Sequence, residues 1–176
     1  MSKDDTISFT INDISIDASK FDRETLLKSW SWLLPETVEP LFVTIFGDAF
    51  LSDTASASGA VYFLDTVDGY LEDVADSFED FSKLLAEDEE FVKDYFSVLT
   101  WLRFKDEVLA GEEMPEGMIF NYITPFALGG EAEADNIALF PIQAHFDMSG
   151  QFWEQLESLE LELAEEIAAE AEDKDK

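Results

Sequence analysis

The sequence predicts a single α+β domain, with a mostly antiparallel sheet covered by helices and an acidic helical C-terminal tail. Three observations support this. The chain has 176 residues, 47% of them hydrophobic, enough for one core that buries about two-thirds of the unfolded surface. Residues 6–17 alternate apolar and polar side chains, and residues 60–75 indicate two strands. From residue 77 the spacing becomes helical. We therefore place the domain at residues 1–160 and the tail at residues 161–176.

The N-terminal segments predict a short β element and then a helix. Residues 6–17, "TISFTINDISID", alternate apolar and polar side chains, which indicates a hairpin or two short strands. Residues 19–36 have apolar side chains at helical spacing. Ser19 and Asp22 are alternative N-caps for this helix, and Pro35 ends it.

Two strands joined by a tight turn are predicted before residue 77. Residues 38–53, "VEPLFVTIFGDAFLSD", indicate a short helix followed by a strand. Residues 60–75 then indicate two strands around Val67-Asp68-Gly69, because glycine supplies the positive φ that a hairpin turn needs.

Two helices are predicted between Ser77 and Gly111. Ser77 is a typical N-cap, with Asp80 three residues later in a pattern close to a capping box. The second helix covers residues 89–110 and ends at Gly111. The side chains that these helices should bury are Phe78, Phe81, Leu85, Phe91, Tyr95, Leu99, Leu102 and Leu109.

The stretch "YITPFALGGEAEADNI" predicts a tight reversal between two strands. One glycine of Gly129-Gly130 should take a positive φ, and the other should allow close approach of the backbone. The Asn136 amide can cap or bridge the loop. The acidic loop at 131–135 is also a candidate for binding. A long helix follows from Pro141.

The net charge of −31, from 41 acidic and 10 basic residues, is the strongest compositional feature. Such a field repels nucleic acids and anionic membranes and attracts basic partners. Three explanations remain open: solubility or adaptation to a saline cytoplasm, a basic protein partner, and mimicry of DNA. The densest acids lie in the C-terminal tail, which does not favour mimicry. Without cysteine, an apolar membrane span or a signal peptide, the chain is expected to be cytoplasmic.

The residue pattern predicts neither catalysis nor a cofactor. His145 is the only histidine, and we expect it to be a structural residue on the last helix. No motif combines a nucleophile with a base, and "DTVDGYLED" lacks the acid spacing of a calcium loop. Leu159, Leu163 and Ile167 follow helical spacing in the acidic tail, so an apolar seam for a partner helix remains an alternative to a solvated tail.

The ordered set "FGDAFL", "GAVYFLDTVDGYLEDVADSFEDF", "YITPFALGGEAEADNI" and "HFDMSGQFWEQL" resembles a known family. It is the C-terminal domain of immunity proteins that neutralise type VI secretion DNase effectors, and the resemblance covers residues 24–158. The marks that match the family pattern include Phe46 and Asp48. The predicted structural-motif residues are Gly47, Gly69, Pro125, Gly129, Gly130, Asn136, His145, Gly150 and Gln151.

The resemblance implies a binding protein that holds a toxin inactive in the producing cell. A nuclease-type toxin would be basic, and an acidic inhibitor would capture it by charge complementarity. The N-terminal domain that accompanies this one in other members is not visible here. A stand-alone scaffold or regulatory module with a non-toxin partner is the alternative. The acids that we expect to contact a partner are Asp48, Asp53, Asp65, Asp68, Glu131, Glu133 and Asp135.

Overall fold

A five-stranded antiparallel meander forms the centre of the fold. The computed structural model describes residues 9–174. The strands, in the order in which they pair, are β1 (Ser15–Asp17), β2 (Val38–Thr44), β3 (Ala49–Asp53), β4 (Val61–Asp65) and β5 (Tyr70–Ala75). Each strand pairs with its neighbour in sequence. Short connections join β2 to β5 in succession, whereas residues 18–37 join β1 to β2. The predicted α+β class with a mostly antiparallel sheet is confirmed.

A second sheet consists of two strands, β6 (Met118–Tyr122) and β7 (Ile137–Pro141), paired antiparallel. It is joined to the meander by the backbone N–H of Phe120, which donates to the carbonyl of Ile45 at 2.9 Å. Ile45 lies in the turn between β2 and β3. This turn is therefore held against β6, and that contact positions the site described below.

Helices cover both faces of the meander. The helices are α1 (Ile11–Ile14), α2 (Arg23–Leu26), α3 (Phe78–Glu87), α4 (Glu89–Tyr95), α5 (Val98–Leu109) and α6 (Ile142–Lys174), with 3₁₀ turns at Ala18–Lys20, Lys28–Trp30, Phe126–Leu128 and Ala134–Asn136. Strand alternation sends Phe50 to one face and Leu51 to the other. Phe50 packs with residues of α3 to α5, whereas Leu51 packs with residues of α2 and α6. The sheet is thus buried on both sides.

The core on the α3–α5 side is aromatic. The ring of Phe50 lies 4.9 Å from that of Phe63, 5.0 Å from that of Phe81 and 5.1 Å from that of Phe96, measured between centroids. Such pairs add about 0.5–1.5 kcal/mol each to the energy of burial. The chain has 16 phenylalanines, and seven of them are buried in this cluster.

Several predicted elements are wrong in detail. Residues 11–14 form a helical turn instead of a hairpin, because Thr10 and Asp13 make a capping box; residues 6–8 lie outside the described part. The helix predicted at 19–36 is one turn from the Asp22 cap followed by a 3₁₀ turn. The short helix predicted at 38–53 is strand β2, which is rich in β-branched and aromatic residues and pairs on both edges.

The helix predicted at 89–110 is divided into α4 and α5. Ser97 has a φ of 50°, in the left-handed region, and interrupts the helix. The change of direction exposes Leu99, which was predicted to be buried, and Phe78 is also exposed, at the first position of α3. The Ser77 cap is confirmed by its acceptance of the Asp80 N–H at 3.1 Å.

The last helix, α6, is uninterrupted from Ile142 to Lys174. Its early part packs on the 3₁₀ turn at 28–30, and a Cβ at Gly150 would lie 2.5 Å from the Ser29 carbonyl oxygen. A separate acidic tail at 161–176 stays a prediction. Among the helices in the described range, none combines the length and apolar character that crossing a membrane requires.

Candidate functional site

A buried carboxyl group, that of Asp48, lies at the base of the site. Asp48 follows Gly47 in the turn between β2 and β3, and its own backbone N–H is bound to the Thr44 hydroxyl. Its Oδ1 accepts the Thr66 backbone N–H at 2.9 Å and lies 3.0 Å from the Thr66 hydroxyl. Two neighbouring turns of the meander are thereby connected by one acid.

His145 continues this network to α6 and β6. Its Nε2 lies 2.9 Å from the Thr66 hydroxyl, and its Nδ1 lies 3.1 Å from Asn121 Oδ1. Gly47, with a φ of 95°, makes room for the ring, since a Cβ there would lie 2.5 Å from Nε2. Only a residue without a side chain allows His145 to reach Thr66.

Burial shifts the protonation of both end groups. Burial lowers the pKa of His145 to about 4, so the imidazole is neutral at neutral pH. Burial, followed by the charge of Asp65, raises the pKa of Asp48 to about 7. The pKa of Asp65 is itself raised, mainly by burial. The network therefore holds a neutral base beside an acid that changes charge near neutrality.

The hydrogen bonds can run in two directions, because the Thr66 hydroxyl has a single proton. With Asp48 ionised, Thr66 donates to Asp48 and His145 donates from Nε2 to Thr66. The Asn121 amide is then turned over, so that its N–H donates to Nδ1 and its carbonyl oxygen is free. With Asp48 protonated, Thr66 donates to Nε2 and Nδ1 donates to Asn121 Oδ1, so the amide group is free. In these two arrangements, the charge of Asp48 and the polar group that Asn121 has available change together.

An open pocket of about 560 Å³ lies above this network, between the β4–β5 turn, β6 and α6. The lining residues are Thr66, Val67, Asn121, Tyr122, Ile123, Pro125, Leu128, Ala138, Phe140, His145, Met148, Ser149, Phe152 and Trp153. None is an aspartate, glutamate, lysine or arginine, although 29% of the chain is charged. The volume lies within the range of about 300–1,000 Å³ that is usual for binding pockets.

Trp153 holds the β4–β5 turn against α6. Its indole N–H donates to the Thr66 carbonyl oxygen at 3.1 Å. The ring lies against Gly69, where an added Cβ would be 2.2 Å from Trp153 Cδ2. This glycine has a φ of 73°, so both its backbone conformation and its contact require the absence of a side chain.

The rim of the pocket is apolar and open to solvent. Ile123 is 62% exposed, Leu128 is 65% exposed and Met148 is 62% exposed. Ile123 and Leu128 lie in the segment between β6 and Gly129, and Met148 lies on α6. Large apolar side chains grouped in this way are unusual for a surface that stays in water.

The two glycines of the corner have the conformation and the close contact that were predicted, but the predicted tight reversal is wrong, because residues 123–136 separate β6 from β7. Gly129 has a φ of 88°, and a Cβ at Gly130 would lie 1.8 Å from the Thr124 carbonyl oxygen. Asn136 bridges the loop: its Oδ1 accepts the Thr124 N–H at 2.8 Å, and its Nδ2 donates to the carbonyls of Thr124 and Glu131 at 3.0 and 2.9 Å. The corner therefore fixes one wall of the pocket.

The acids that were predicted to contact a partner fall into three environments. Asp48 is buried in the network, and Asp53 is half-buried at the end of β3, outside the pocket lining. Asp65 and Asp68 lie in the turn that contributes Val67 to the pocket. The remaining three acids follow Leu128, which also lines the pocket. They are Glu131, Glu133 and Asp135, and all three are exposed. Two acidic segments that are far apart in sequence thus adjoin one pocket.

The predicted motif residues meet in part. Gly47, Gly69 and His145 touch the network or the pocket, and Pro125 lines the pocket. Gly150 packs instead on Ser29, and Gln151 is an exposed residue of α6. Thr66, Asn121 and the role of Trp153 were not predicted from the sequence. The sequence signal that was available for this wall of the pocket was the helical spacing of His145, Ser149, Phe152 and Trp153, which places them on one face of α6.

Thr66, His145 and Asn121 have the connectivity of a nucleophile, a base and an orienting group. Thr66 is only 2% exposed, however, and His145 is 5% exposed. The Thr66 hydroxyl also lies within hydrogen-bond distance of Asp48 and of the Gly47 carbonyl oxygen. The arrangement therefore fits a structural network better than an attacking group. Across residues 9–174, no three His, Cys, Asp or Glu side chains form a group suited to a metal ion.

Fold and site together define a single-domain α+β protein with an uncharged pocket between two acidic segments. Residues 75–153 match the family described as T6SS immunity protein Tdi1, C-terminal, which confirms the predicted resemblance over that range. The match includes the Gly-Gly corner and His145, whereas the marks at residues 46–48 and 65–69 lie outside it. No curated protein matches the chain.

Proposed function

We propose that the chain is a non-enzymatic immunity protein that neutralises a secreted toxin by binding it directly. The match of residues 75–153 to a family of T6SS immunity proteins is the observation that carries this proposal. The uncharged pocket with its exposed apolar rim supports a role in binding. We further propose that residues 1–160 form the binding domain, that 161–176 form an acidic tail, and that the protein acts in the cytoplasm.

The net charge of −31 supports a basic partner, of which a nuclease-type toxin is the expected example. Complementary fields raise association rates and discriminate against like-charged partners, including nucleic acids and anionic membranes. The predicted acids Asp65, Asp68, Glu131, Glu133 and Asp135 form the proposed acidic surface. Asp48 is left out of this surface because its carboxyl is buried, and Asp53 is left out because it lies half-buried at the end of β3, outside the pocket lining.

The non-enzymatic part of the proposal is supported by the burial of Thr66 and His145 beneath the pocket. A pKa of about 4 also makes His145 a weak base at neutral pH. Replacing Thr66 with valine should therefore destabilise the network without removing a reaction. We propose no cofactor and no metal for this function.

Co-expression tests the proposal. Each candidate type VI effector from the same genome is expressed in a susceptible bacterium, with and without this chain, and growth and DNA integrity are measured. Protection from one effector, with a complex whose dissociation constant increases between about 50 and 500 mM salt, supports a charged interface. A stable complex with a non-toxin protein, without protection from any effector, would favour a regulatory module instead.

A further inference from the structure

We propose that the pocket between the β4–β5 turn, β6 and α6 receives an uncharged apolar side chain that projects from a basic surface of the protein partner. This inference rests on the proposed function for the identity of the partner. It goes further by assigning the contact surface and the chemistry of the contact. The inference follows from four features: the neutral lining, the polar floor, the exposed rim and the distribution of charge.

The lining selects an uncharged group. A carboxylate or an ammonium group placed among Val67, Tyr122, Phe140 and Trp153 would lose hydration, and no lining residue carries an opposite charge. An aromatic or branched aliphatic side chain would replace water on apolar walls instead. Burial of such a side chain removes apolar surface from water, so the side chain can act as an anchor.

The floor offers one hydrogen-bonding group to the incoming residue. The Asn121 side chain uses one end of its amide for His145 Nδ1. Its other end has no hydrogen-bond partner among the described residues, and Asn121 lines the pocket. A peptide group that enters with the anchor can therefore be bound by Asn121. This polar contact fixes orientation, whereas the walls supply the apolar contact.

The exposed rim favours a protein over a small molecule. A small ligand held in the pocket would leave much of Ile123, Leu128 and Met148 in water. A protein surface that seats an anchor would cover all three and exclude water around it, as in the hot spots of protein interfaces. We therefore assign the site to a macromolecular partner.

The surrounding charge requires that this partner be basic. The sequence has no lysine or arginine in residues 29–82 or in residues 106–173, and all fourteen lining residues belong to these two segments. Arg103, outside both segments, pairs with Glu133 of the acidic loop at 3.2 Å. The same segments contain Asp68 and Glu131, which are exposed beside the pocket walls. A second copy of this chain would bring acid against acid. Charge complementarity therefore points to an anchor flanked by cations.

Short peptides test the site while the toxin itself is still unidentified. The probe is acetyl-Lys-Lys-Phe-Lys-Lys-amide, with Ser in place of Phe as the first control and Glu in place of every Lys as the second. Binding is followed by NMR of the Met148 and Ile123 methyl groups and of the Trp153 indole. We expect the Phe peptide to bind at least ten-fold more tightly than either control, with the largest shifts at these three residues.

Two variants separate the pocket from the general charge of the chain. Met148→Glu places a charge on the rim and should abolish the preference for Phe over Ser. Leu161→Glu is the matched control, since Leu161 is 61% exposed on the same helix but outside the pocket. Circular dichroism establishes that both variants fold. Equal preference in the two variants, or shifts located elsewhere, would overturn the inference.

The co-expression assay separates failure of this inference from failure of the proposed function. If the native chain protects and Met148→Glu alone loses protection, both proposals are supported. If both variants protect as well as the native chain, the pocket assignment fails and the immunity function stands. If the native chain protects against no effector although the Phe peptide occupies the pocket, the immunity function fails and the assignment of an apolar, cation-flanked ligand stands. N-acetyl-phenylalaninamide is the anchor residue without the lysines. If it bound as tightly as the Phe peptide, the assignment of a basic protein partner would be overturned.

Discussion

Asp48→Asn should change how the stability of this protein depends on pH, and His145→Gln should change it in the opposite sense. Both residues belong to the buried network. Their pKa values are shifted in opposite directions, across nearly the same pH range. Burial and the charge of Asp65 raise the pKa of Asp48 from 3.8 to about 7. Burial lowers the pKa of His145 from 6.5 to about 4.

The signs follow from proton uptake. The folded state holds a proton on Asp48 that the unfolded state has lost above pH 3.8, so this group's stabilisation is lost as the pH rises toward 7. The unfolded state holds a proton on His145 that the folded state lacks, so this group's stabilisation is present above pH 6.5 and lost as the pH falls toward 4. Between pH 4.5 and 6.5 the two contributions oppose each other.

The magnitudes are similar. One pKa unit corresponds to about 1.36 kcal/mol, so the Asp48 shift corresponds to about 4 kcal/mol and the His145 shift to about 3 kcal/mol. Between pH 4.5 and 6.5, each group alone changes the free energy of unfolding by up to about 1.4 kcal/mol per pH unit. The native pair should therefore contribute little net slope, although each member contributes a large one.

Urea unfolding at pH 4.5, 5.5 and 6.5, followed by tryptophan fluorescence, measures the slopes. As the pH rises from 4.5 to 6.5, the free energy of unfolding of Asp48→Asn should increase by about 2–3 kcal/mol relative to that of the native chain. The free energy of unfolding of His145→Gln should decrease by about as much. Asp135→Asn, which removes a charge from an exposed loop, is the control. Parallel curves for the native chain and both network variants would refute the argument that these groups are buried and shifted.

Three further predictions concern turns, helix ends and the Gly-Gly corner. Gly47→Ala should reduce the free energy of unfolding by about 1–3 kcal/mol more than Gly129→Ala, because both positions have a positive φ but only the former would contact His145; equal losses in urea unfolding would contradict the contact. Ala110→Gly should raise the thermal midpoint, gaining about 1 kcal/mol, because Ala110 has a φ of 51° at the end of α5; a lower midpoint would count against that conformation. Asn136→Ala should cost about 1–3 kcal/mol by removing three hydrogen bonds of the Gly-Gly corner; faster amide exchange confined to residues 124–136 would locate the effect, and unchanged exchange would oppose it.

Elements with strong local signals were predictable from the sequence. The hairpin turn at Gly69, the Ser77 cap and the Gly-Gly corner each depend on residues within a few positions of one another. Turn conformation and capping are decided at that range, so the sequence contains the necessary information.

Elements decided by tertiary contact were not predictable. The start of residues 38–53 was predicted to be a short helix, because its apolar run suits a helix as well as a strand. Pairing with two partner strands makes it β2. The break at Ser97 places α4 and α5 around the aromatic core, and no proline or glycine marks it. The pocket is a further case, since Thr66 and His145 are 79 residues apart in sequence. Only the fold brings them together.

The neutral pocket and the acidic surface act at different distances, which divides the proposed recognition into two steps. Exposed carboxylates act across roughly 8–10 Å of saline solution, before any contact forms, so they mainly set the association rate. The walls of the pocket act only when an apolar group has displaced water from Trp153 and Phe140, so they mainly set the dissociation rate. Salt should then slow association, whereas Met148→Glu should speed dissociation. If salt changed the dissociation rate as strongly as the association rate, the carboxylates would lie within the interface itself. The partner's cations would then pair directly with Asp68 and Glu131, and the pocket would be secondary to them.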